Sequence, residues 1–475
     1  GQQSLRRLDL IMRNFYRRAG ILLVLFMLVF QTVAMAAGAM TLNGVRFGKG
    51  AVRDRIVFDL SQEPQYTVET QNDGRRIVLT FSALMNRAVK PQISSDMIQQ
   101  VSFQNTKDGL QVIIDLQAKA EYTVKTLANP SRLFIDILKE SESIVHEEPA
   151  PGLVKTTYVR RDGRGMLSAW LLDVDRSRYD VKLALGNGTI SAGRERLSGI
   201  SDDLQAVAAI NANYFNLNGE ILGVTRVDGQ TVGTIYYTRS SLGFMPDGSL
   251  RIAPVSYGAS VTIGGVTQPV SGVDCERGEN NLTLYNSYYG ASTQTNAYGQ
   301  EYTVRNGRVT AMQAADSPIP ADGWVVSVHG TSKDAFAGVK IGDAVKIEED
   351  YGTELAAAQN IVGAGPTLVK NGQVKVTAKE EQFPGDIAYG RAPRTALGIL
   401  PNNHVLLAVV DGRQSHSIGC TLSEMGELMK KFGAVDAINF DGGGSSEMIV
   451  GGQIQNSPSD GAERPVGSAI VVVKK

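Results

Sequence analysis

Two aspartates near the C-terminus each follow an apolar run that predicts a buried β-strand. Residues 405–410 lead into Asp411, and residues 434–440 lead into Asp441. With a helix between them, parallel and adjacent strands would bring both carboxylates to one sheet edge, where open sheets bind ligands. Carboxylates in such a place act as acid, base or nucleophile. We therefore predict Asp441 and Asp411 as catalytic residues, with Glu447 as a third candidate.

The segment after Asp441 is built of glycine and serine. Glycines lack a Cβ atom, so their backbone N–H groups can approach an anion closely. No Gly-Lys-Ser/Thr follows, which excludes a nucleotide P-loop, and a Gly-x-Ser-x-Gly nucleophile elbow is absent. Arg394 would hold a phosphate bidentately, otherwise forming a surface salt bridge, and Arg464 would assist it. The predicted donors of this segment are Gly443, Gly444, Ser445 and Ser446.

Asparagines mark two further strand ends. Asn211 and Asn213 are separated by one residue, and Tyr214 and Phe215 follow them directly. Asparagine at a strand end is often a turn residue, but amides interleaved with aromatics also suit the hydroxyls and ring face of a sugar. We predict Asn211, Asn213 and Asn439 as residues that bind or orient the substrate.

The sequence assigns no metal or cofactor. Asp411, Asn439 and Asp441 carry the oxygen ligands that hard cations prefer, so a divalent cation stays open, although their spacing matches no metal loop. His416 is either a general acid or a surface histidine. The two cysteines, Cys275 and Cys420, could pair or stay as separate thiols.

The region from about residue 155 mixes strands with helices. Strands are predicted over 167–174, 179–185 and 206–210, and a helix over 191–204. Thr421 and Glu424 form a capping box that opens a second helix. Its buried stripe is Leu422, Met425, Leu428, Met429 and Phe432.

The first module repeats itself at a constant offset of 56 residues, as from Val45 to Val101. Each copy predicts short strands broken by polar turns, and two sheets packed face to face would bury the apolar rows of both copies. Asp59 and Asp115 occupy equivalent positions, which favours a structural role. The module carries no catalytic spacing and is predicted to bind rather than react.

Length and composition set the organisation. A chain of 475 residues predicts two or three domains, and a formal charge of −1 favours neither nucleic acid nor an anionic membrane surface. Residues 1–36 have the basic head, short apolar run and small-residue end of a signal peptide, with a retained membrane anchor as the alternative. Residues 141–154 have the composition of a linker.

Two family resemblances follow from these motifs. The repeated module, residues 40–140, resembles the AMIN domain, which implies binding to a cell-wall or exopolysaccharide glycan. Residues 155–475 resemble the phosphodiester glycosidase family on six blocks. They are Asn211-x-Asn213-Tyr214-Phe215, Gly365-Pro366, Pro393-Arg394-Thr395-Ala396, Val410-Asp411-Gly412-Arg413, Asn439-x-Asp441-Gly442-Gly443-Gly444-Ser445-Ser446 and Arg464-Pro465-Val466.

These resemblances imply an α+β protein, with a duplicated β-sandwich module followed by a mixed α/β catalytic domain. The implied function is hydrolysis of a sugar-1-phosphodiester bond by an exported protein of the cell envelope. Two alternatives remain: a phosphodiesterase in which water attacks phosphorus, and a non-catalytic wall-binding protein. No partner protein is inferable.

Overall fold

The computed structural model describes residues 39–82, 84–86, 91–235 and 237–475, which form two compact units. One unit comprises the described residues up to 141 and the turn 162–164, and the other comprises the described residues of 142–161 and 165–475. The predicted signal peptide, residues 1–36, lies outside the described residues. Within the described ranges, none of the helices has the length and apolar character needed to cross a membrane.

The first unit is a sandwich of two sheets, antiparallel except for the short parallel edge strand β5 beside β1. Its strands are β1 (Met40–Lys49), β2 (Arg53–Leu60), β3 (Tyr66–Gln71), β4 (Arg76–Ser82), β5 (Leu84–Asn86), β6 (Ile98–Thr106), β7 (Gly109–Leu116), β8 (Tyr122–Leu127) and β9 (Arg132–Leu138). The sheet orders are β5-β1-β2-β9-β8 and β3-β4-β7-β6. Apolar residues of both sheets, such as Phe58 and Phe81, share one buried core.

The internal repeat is visible strand by strand, because β2, β3 and β4 map onto β7, β8 and β9 at the predicted offset. The two copies do not each form one sheet. Each sheet combines two strands of either copy, joined through the β2–β9 and β4–β7 pairs, and β5 adds a fifth strand to the first sheet. The equivalent aspartates are structural: Asp59 pairs with Arg46 at 2.8 Å, and Asp115 pairs with Arg76 at 2.7 Å.

The second unit contains β10 to β37, four α-helices and short 3-10 turns. Its helices are α1 (Leu197–Asp203), α2 (Thr331–Ala335), α3 (Gly385–Tyr389) and α4 (Leu422–Lys431). The strands up to residue 255 are β10 (Ser141–Ala150), β11 (Leu153–Asp162), β12 (Gly165–Asp175), β13 (Tyr179–Leu185), β14 (Ala208–Asn211), β15 (Tyr214–Phe215), β16 (Ile221–Leu222), β17 (Thr225–Val227), β18 (Gln230–Thr234), β19 (Arg239–Phe244) and β20 (Leu250–Val255).

The remaining strands complete this unit. They are β21 (Gly258–Ile263), β22 (Val266–Pro269), β23 (Gly272–Val273), β24 (Leu282–Tyr285), β25 (Gly299–Arg305), β26 (Arg308–Gln313), β27 (Gly323–His329), β28 (Val345–Asp350), β29 (Asn360–Gly363), β30 (Thr367–Lys370), β31 (Gln373–Val374), β32 (Arg394–Ile399), β33 (His404–Val410), β34 (Asp436–Asn439), β35 (Met448–Val450), β36 (Gln453–Ile454) and β37 (Ser468–Lys474).

An eight-stranded sheet, β10-β11-β12-β33-β32-β34-β30-β31, is the centre of the second unit. Its strand β33 is apolar from Val405 to Val410 because both of its faces are buried there. Val405, Leu407 and Val409 pack towards the five-stranded sheet β13-β37-β14-β35-β36, while Leu406 and Ala408 pack towards α4. The central strands therefore form the middle layer of a three-layer structure.

Helix α4 begins and packs as its sequence predicts. The Thr421 side chain accepts a hydrogen bond from the Glu424 N–H, which satisfies a donor at the helix start. Leu422, Met425, Leu428 and Met429 are buried against the sheet. Phe432, just after the helix, is half-buried and packs against the same cluster.

Three sequence-based expectations about elements were wrong. Residues 141–150 form strand β10 of the large sheet, so the polar, proline-containing segment is an edge strand rather than a free linker. The helix predicted over 191–204 is confined to Leu197–Asp203. Strands β33 and β34 run parallel but are not adjacent, because β32 lies between them and is antiparallel to both. Their carboxyl ends nevertheless reach the same sheet edge.

Three smaller sheets fill the rest of the second unit. One is the seven-stranded sheet β15-β16-β18-β17-β29-β19-β20. The others are β22-β21-β28 and β23-β24-β27-β25-β26, which share the core around Val326 and Tyr302. These last two sheets form a subdomain within residues 258–350.

Candidate active site

A cavity of about 410 Å3 opens at the edge of the eight-stranded sheet where β33 and β34 end and β32 begins. Its lining residues are Tyr214, Asp386, Ile387, Gly390, Arg391, Ala392, Arg394, Arg413, Asn439, Asp441, Gly442, Gly443, Gly444 and Arg464. Four arginines against two aspartates give the lining a positive balance. We call this cavity the arginine cavity.

Strand register brings the central residues of the arginine cavity together. Arg394 opens β32 opposite Val410, the last residue of β33. Asn439 ends β34 opposite Ala396, so Asp441 follows at the same edge. The backbone of Asp441 is then fixed, because its N–H donates to Ala212 O at 3.0 Å and its carbonyl accepts from Asn211 Nδ2 at 2.7 Å.

Asp441 is a carboxyl group held in a poorly solvated place. Burial raises the pKa of Asp441 to about 6, although the Gly442 N–H, the Ser445 hydroxyl and the charge of Arg464 favour the ionised form. The Gly442 N–H donates to its Oδ1 at 2.9 Å. A carboxyl group that changes protonation near neutral pH suits acid–base or nucleophilic chemistry.

Arg394 is a buried cation, only 3% exposed, without a carboxylate partner among the described residues. Its guanidinium donates instead to three backbone carbonyls, those of Cys420 at 3.0 Å, Gly390 at 2.6 Å and Ile387 at 3.3 Å. Burial lowers the pKa of Arg394. The carbonyls fix the direction of the side chain but leave its positive charge uncompensated, which favours an anionic ligand.

The other three arginines of the cavity differ in how their charge is balanced. Arg391 forms a two-pronged pair with Glu424 at 2.7 and 2.8 Å. Arg464 pairs in the same way with Asp460 at 2.7 and 3.0 Å.

Arg413 is exposed and has no side-chain partner within the described part of the chain. It therefore adds a second uncompensated cation beside Arg394. A Cβ atom placed on Gly443 would lie 3.4 Å from Arg413 Nη1, which puts this cation over the glycine segment.

Asn439 and Tyr214 form the polar wall of the cavity. Asn439 Nδ2 donates to Tyr214 OH at 3.2 Å and to Phe440 O at 2.9 Å, and the Tyr214 hydroxyl donates to Gly365 O at 2.8 Å. Asn439 Oδ1 is buried and has no hydrogen-bond partner in the described structure. It leaves one acceptor for a ligand hydroxyl or amide.

The structure does not bring Asp411 into the cavity lining. Asp411 is 1% exposed, and its carboxylate accepts from His416 Nε2 at 2.8 Å, Asn456 Nδ2 at 2.9 Å and the Ser457 N–H at 3.0 Å. Both oxygens are therefore occupied by the loops around the site. The strand end predicted this aspartate at the correct edge, but its side chain holds loops together rather than facing the cavity.

Glu447 is also outside the cavity lining. Its carboxyl group is buried beside Glu463, and burial, followed by this neighbour, raises the pKa of Glu447 to about 9. Burial opposes ionisation of Glu463 too, but hydrogen bonds from the Ser198 N–H and hydroxyl outweigh it and lower the pKa of Glu463. Glu447 is therefore the protonated member of a carboxyl pair behind the site.

Asn211 and Asn213 are buried connectors rather than cavity residues. Asn211 Oδ1 accepts from Thr395 Oγ1 at 2.7 Å, and its Nδ2 holds the Asp441 carbonyl. Asn213 uses its amide on Thr225 Oγ1 at 3.0 Å, Gly363 O at 2.8 Å and Ser468 Oγ at 2.7 Å. Their predicted contact with a sugar is replaced by contacts that tie strand ends together.

Only part of the glycine and serine segment that was predicted to bind an anion lines the cavity. Gly443 and Gly444 line the cavity, but the Gly443 N–H donates to Pro393 O at 3.0 Å and is not open to an anion. Ser445 and Ser446 are buried, and Ser446 Oγ lies 3.1 Å from Thr395 Oγ1.

Gly444 has a steric reason to be glycine. A Cβ atom there would lie 2.2 Å from Arg464 Nη2, so the absence of a side chain lets the Arg464–Asp460 pair pack on it.

The described residues provide neither a cluster of metal ligands nor a disulfide bond. The described residues contain no group of three or more His, Cys, Asp or Glu side chains placed to hold a metal ion. Both cysteines are free thiols, and burial raises the pKa of Cys420 to about 12.

Tyr214, Asp386 and Arg413 are among the lining residues that sequence reasoning missed. Tyr214 and Arg413 lie inside the motifs already singled out, directly after Asn213 and within the Asp-Gly-Arg turn. Asp386, at the start of the short helix α3, has no such signal.

Comparisons with known proteins match both units. The family model for phosphodiester glycosidase matches residues 298–473, and the AMIN domain model matches residues 44–137. A SPbeta prophage-derived uncharacterized protein YomE of Bacillus subtilis is 27% identical over 170 residues, 35% of this chain and 26% of that protein. Bovine N-acetylglucosamine-1-phosphodiester alpha-N-acetylglucosaminidase is 32% identical over 122 residues, 24% of this chain and 23% of that enzyme. The matches thus span about a quarter of either relative.

A solved structure extends the likeness to most of the fold. The crystal structure of a hypothetical protein from Synechocystis superposes with a TM-score of 0.63 at 24% identity, covering 92% of this chain and 81% of that one. The fold and site define a β-rich protein in which a sandwich unit precedes a layered unit with an arginine-lined cavity. Within it, residues 44–137 match the AMIN domain model and residues 298–473 match the phosphodiester glycosidase model, in agreement with the resemblances that the motifs predicted.

Proposed function

We propose that the second unit hydrolyses a sugar-1-phosphodiester bond in a glycan of the cell envelope. The observation that carries this proposal is the pairing, in one cavity, of a titratable carboxyl group with two uncompensated arginines. A phosphodiester is an anion attached to a sugar, so it needs cationic support on one side of the scissile bond and a carboxylate on the other.

The arginines take the phosphate side. Arg394, held by three carbonyls, presents a fixed cation, and Arg413 adds a second one from the opposite loop. As the bond between the anomeric carbon and the phosphate oxygen breaks, the electron pair moves onto that oxygen. Cations already in place stabilise the added charge without reorganising.

Asp441 takes the sugar side in its ionised form. Phosphate is a good leaving group, so the carboxylate is needed to assist attack on the anomeric carbon, as base for water or as nucleophile. Water supplies the hydroxyl that ends on the sugar, and its proton ends on the released phosphate or in solvent. Asn439 Oδ1 and the ring of Tyr214 contact the sugar.

The match of the first unit to the AMIN domain model supports an envelope glycan as the substrate of this reaction. The signal peptide predicted over residues 1–36 would export the chain, and the first unit would then hold it on a wall polymer. We assign the chemistry to the second unit because the carboxyl group and the arginines of the arginine cavity lie there.

The test is turnover of UDP-N-acetylglucosamine and of simple sugar-1-phosphodiesters by wild type and Asp441→Asn. We expect the wild type to release the free sugar and the variant to lose at least 100-fold in kcat, the range of a removed acid–base group. Asp96→Asn, on the exposed surface of the first unit, is the matched control and should keep full activity. Unchanged turnover by Asp441→Asn would remove Asp441 from the mechanism, and no turnover of any substrate by wild type would favour a binding protein.

A further inference from the structure

A second cleft, of about 460 Å3, lies in the second unit against the subdomain of residues 258–350. Its floor is apolar: Trp324 of β27 and Val345 and Ile347 of β28 pack on the subdomain core but stay half-buried. Along β28 the residues alternate between half-buried and exposed, so the row that faces the protein is not fully covered. A partly covered apolar row beside a cleft of this size marks a binding surface.

Several polar atoms around this floor have no hydrogen-bond partner among the described residues. The side-chain amides of Gln230 and Asn306 and the indole N–H of Trp324 make no hydrogen bond within the described ranges, and Gln230 Oε1 is buried. Glu349 Oε2 accepts hydrogen bonds from the hydroxyl groups of Thr231 at 2.5 Å, Tyr257 at 2.6 Å and Tyr351 at 3.1 Å. Its Oε1 has no hydrogen-bond partner among the described residues. An open ring of donors and acceptors over an aromatic floor is the complement of a sugar, with its hydroxyls at the edge and its C–H face on the ring.

The charge of the cleft selects against an anion. In the described structure, none of the lining residues is a lysine, arginine or histidine. Asp322, at the rim, pairs with Arg305 at 3.0 Å, so its charge is balanced. This cleft therefore differs from the arginine cavity, which is built for a negatively charged group.

We propose that the cleft floored by Trp324 binds an uncharged saccharide segment of the glycan. A sugar ring stacks on Trp324, while Gln230, Asn306 and Glu349 bind its hydroxyl groups. The site extends the proposed function, because it would hold a neutral part of the polymer whose phosphodiester enters the arginine cavity. It does not depend on that function, since saccharide binding needs no hydrolysis.

The two tryptophans of the chain make a direct test available, because Trp170→Phe leaves Trp324 as the single tryptophan reporter. The Trp170→Phe chain is titrated with neutral tetrasaccharides of glucose, galactose and N-acetylglucosamine while tryptophan emission is recorded. We expect a saturable change with at least one of them. No change with any tetrasaccharide up to millimolar concentration would overturn the proposal, as would an equal response to the organic cation choline.

Calorimetry of the responding tetrasaccharide with variants locates the site. Trp324→Ala should weaken binding at least tenfold. Asn306→Gly should weaken it about threefold, because the exposed Asn306 has a positive φ of 51° that glycine also adopts, so that only the side-chain amide is lost. If both variants bind the tetrasaccharide as tightly as wild type does, the saccharide binds elsewhere and the proposal is rejected. Hydrolysis of a small sugar-1-phosphodiester by both variants should match wild type. An inactive wild type that still binds the tetrasaccharide through Trp324 would reject the proposed hydrolysis and keep the cleft.

Discussion

The residue that carries most of the proposed chemistry, Asp441, also carries a cost in stability. Burial raises its pKa to about 6, so the folded state favours the protonated form more than the unfolded state does. Above about pH 6 the carboxylate is ionised in the folded protein, and its burial lowers the free energy of unfolding. Below about pH 4 the group is neutral in both states and the cost disappears.

Asp441→Asn should therefore stabilise the protein at pH 8, by on the order of 2 kcal/mol, with the difference shrinking towards zero at pH 4. Urea unfolding of wild type and variant at pH 4, 6 and 8 measures this. A variant that is less stable at pH 8 would contradict the assigned environment. The same ionisation governs the rate: wild-type kcat/KM should fall as pH drops below about 6, because the ionised form is the reactive one.

Arg394→Lys tests the cationic side of the site. Lysine keeps the charge but not the planar group that reaches three carbonyls and still faces the cavity. We expect kcat/KM for a sugar-1-phosphodiester to fall about 10- to 100-fold. The matched control is Arg178→Lys, an exposed arginine near Asp175, which should change neither rate nor stability. Equal effects of the two substitutions would mean that Arg394 has no role in binding phosphate.

At the residue scale, the sequence predicted the neighbourhood better than the direction of side chains. Asp411 and Asp441 follow apolar runs in the same manner, yet only Asp441 lines the cavity. The difference arises from residues about 45 positions later, since Asn456 and Ser457 meet the Asp411 carboxylate. No local pattern around Asp411 reports that contact.

At the scale of elements, the loops around the arginine cavity are held together by one buried residue, Asp411, through its carboxylate and its backbone carbonyl. His416 and Ser417 from one loop and Asn456 and Ser457 from another all bond to Asp411. Arg413 lies in the first of these loops with a positive φ of 59°. A left-handed backbone at a non-glycine residue is kept only where its surroundings hold it.

Asp411→Asn should loosen this loop. An amide replaces one of the two acceptor oxygens with a donor, which leaves an N–H or imidazole partner unmatched and costs about 1–3 kcal/mol. We expect trypsin to cleave after Arg413 at least tenfold faster in the variant, with KM for the phosphodiester raised. Asp436→Asn is the control: at the far end of β34, this carboxylate accepts a hydrogen bond from the Asn371 N–H. Unchanged cleavage after Arg413 would show that Asp411 does not hold the loop.

Strand order was the limit of prediction at this scale. The helix α4, its cap and the two flanking strands follow from local patterns, and all are present. The insertion of β32 between β33 and β34 does not, because it is a pairing between segments that have equally apolar sequences. It is also the feature that puts Arg394 beside Asp441. The motif was therefore sufficient to predict Arg394, whereas its position beside Asp441 depends on the order of the strands.

At the scale of the whole molecule, the two units have separate cores. The sandwich core contains residues of β1 to β9 alone, and the cores of the second unit contain none of them. A chain of residues 142–475 should hydrolyse a small soluble phosphodiester within about twofold of the full chain, because a domain with its own core can fold alone. Its sedimentation with purified cell-wall polymer should fall at least tenfold. Equal sedimentation would assign wall binding to the second unit.

The most direct measurement of the central claim is hydrolysis of UDP-N-acetylglucosamine and simple sugar-1-phosphodiesters in 18O-labelled water by the full chain. Attack at the anomeric carbon, assisted by Asp441, predicts that the label appears on the anomeric oxygen of the released sugar, and that this product is lost in Asp441→Asn. Label on the phosphate instead would contradict the account, since it would show that water attacks phosphorus and that the protein is a phosphodiesterase.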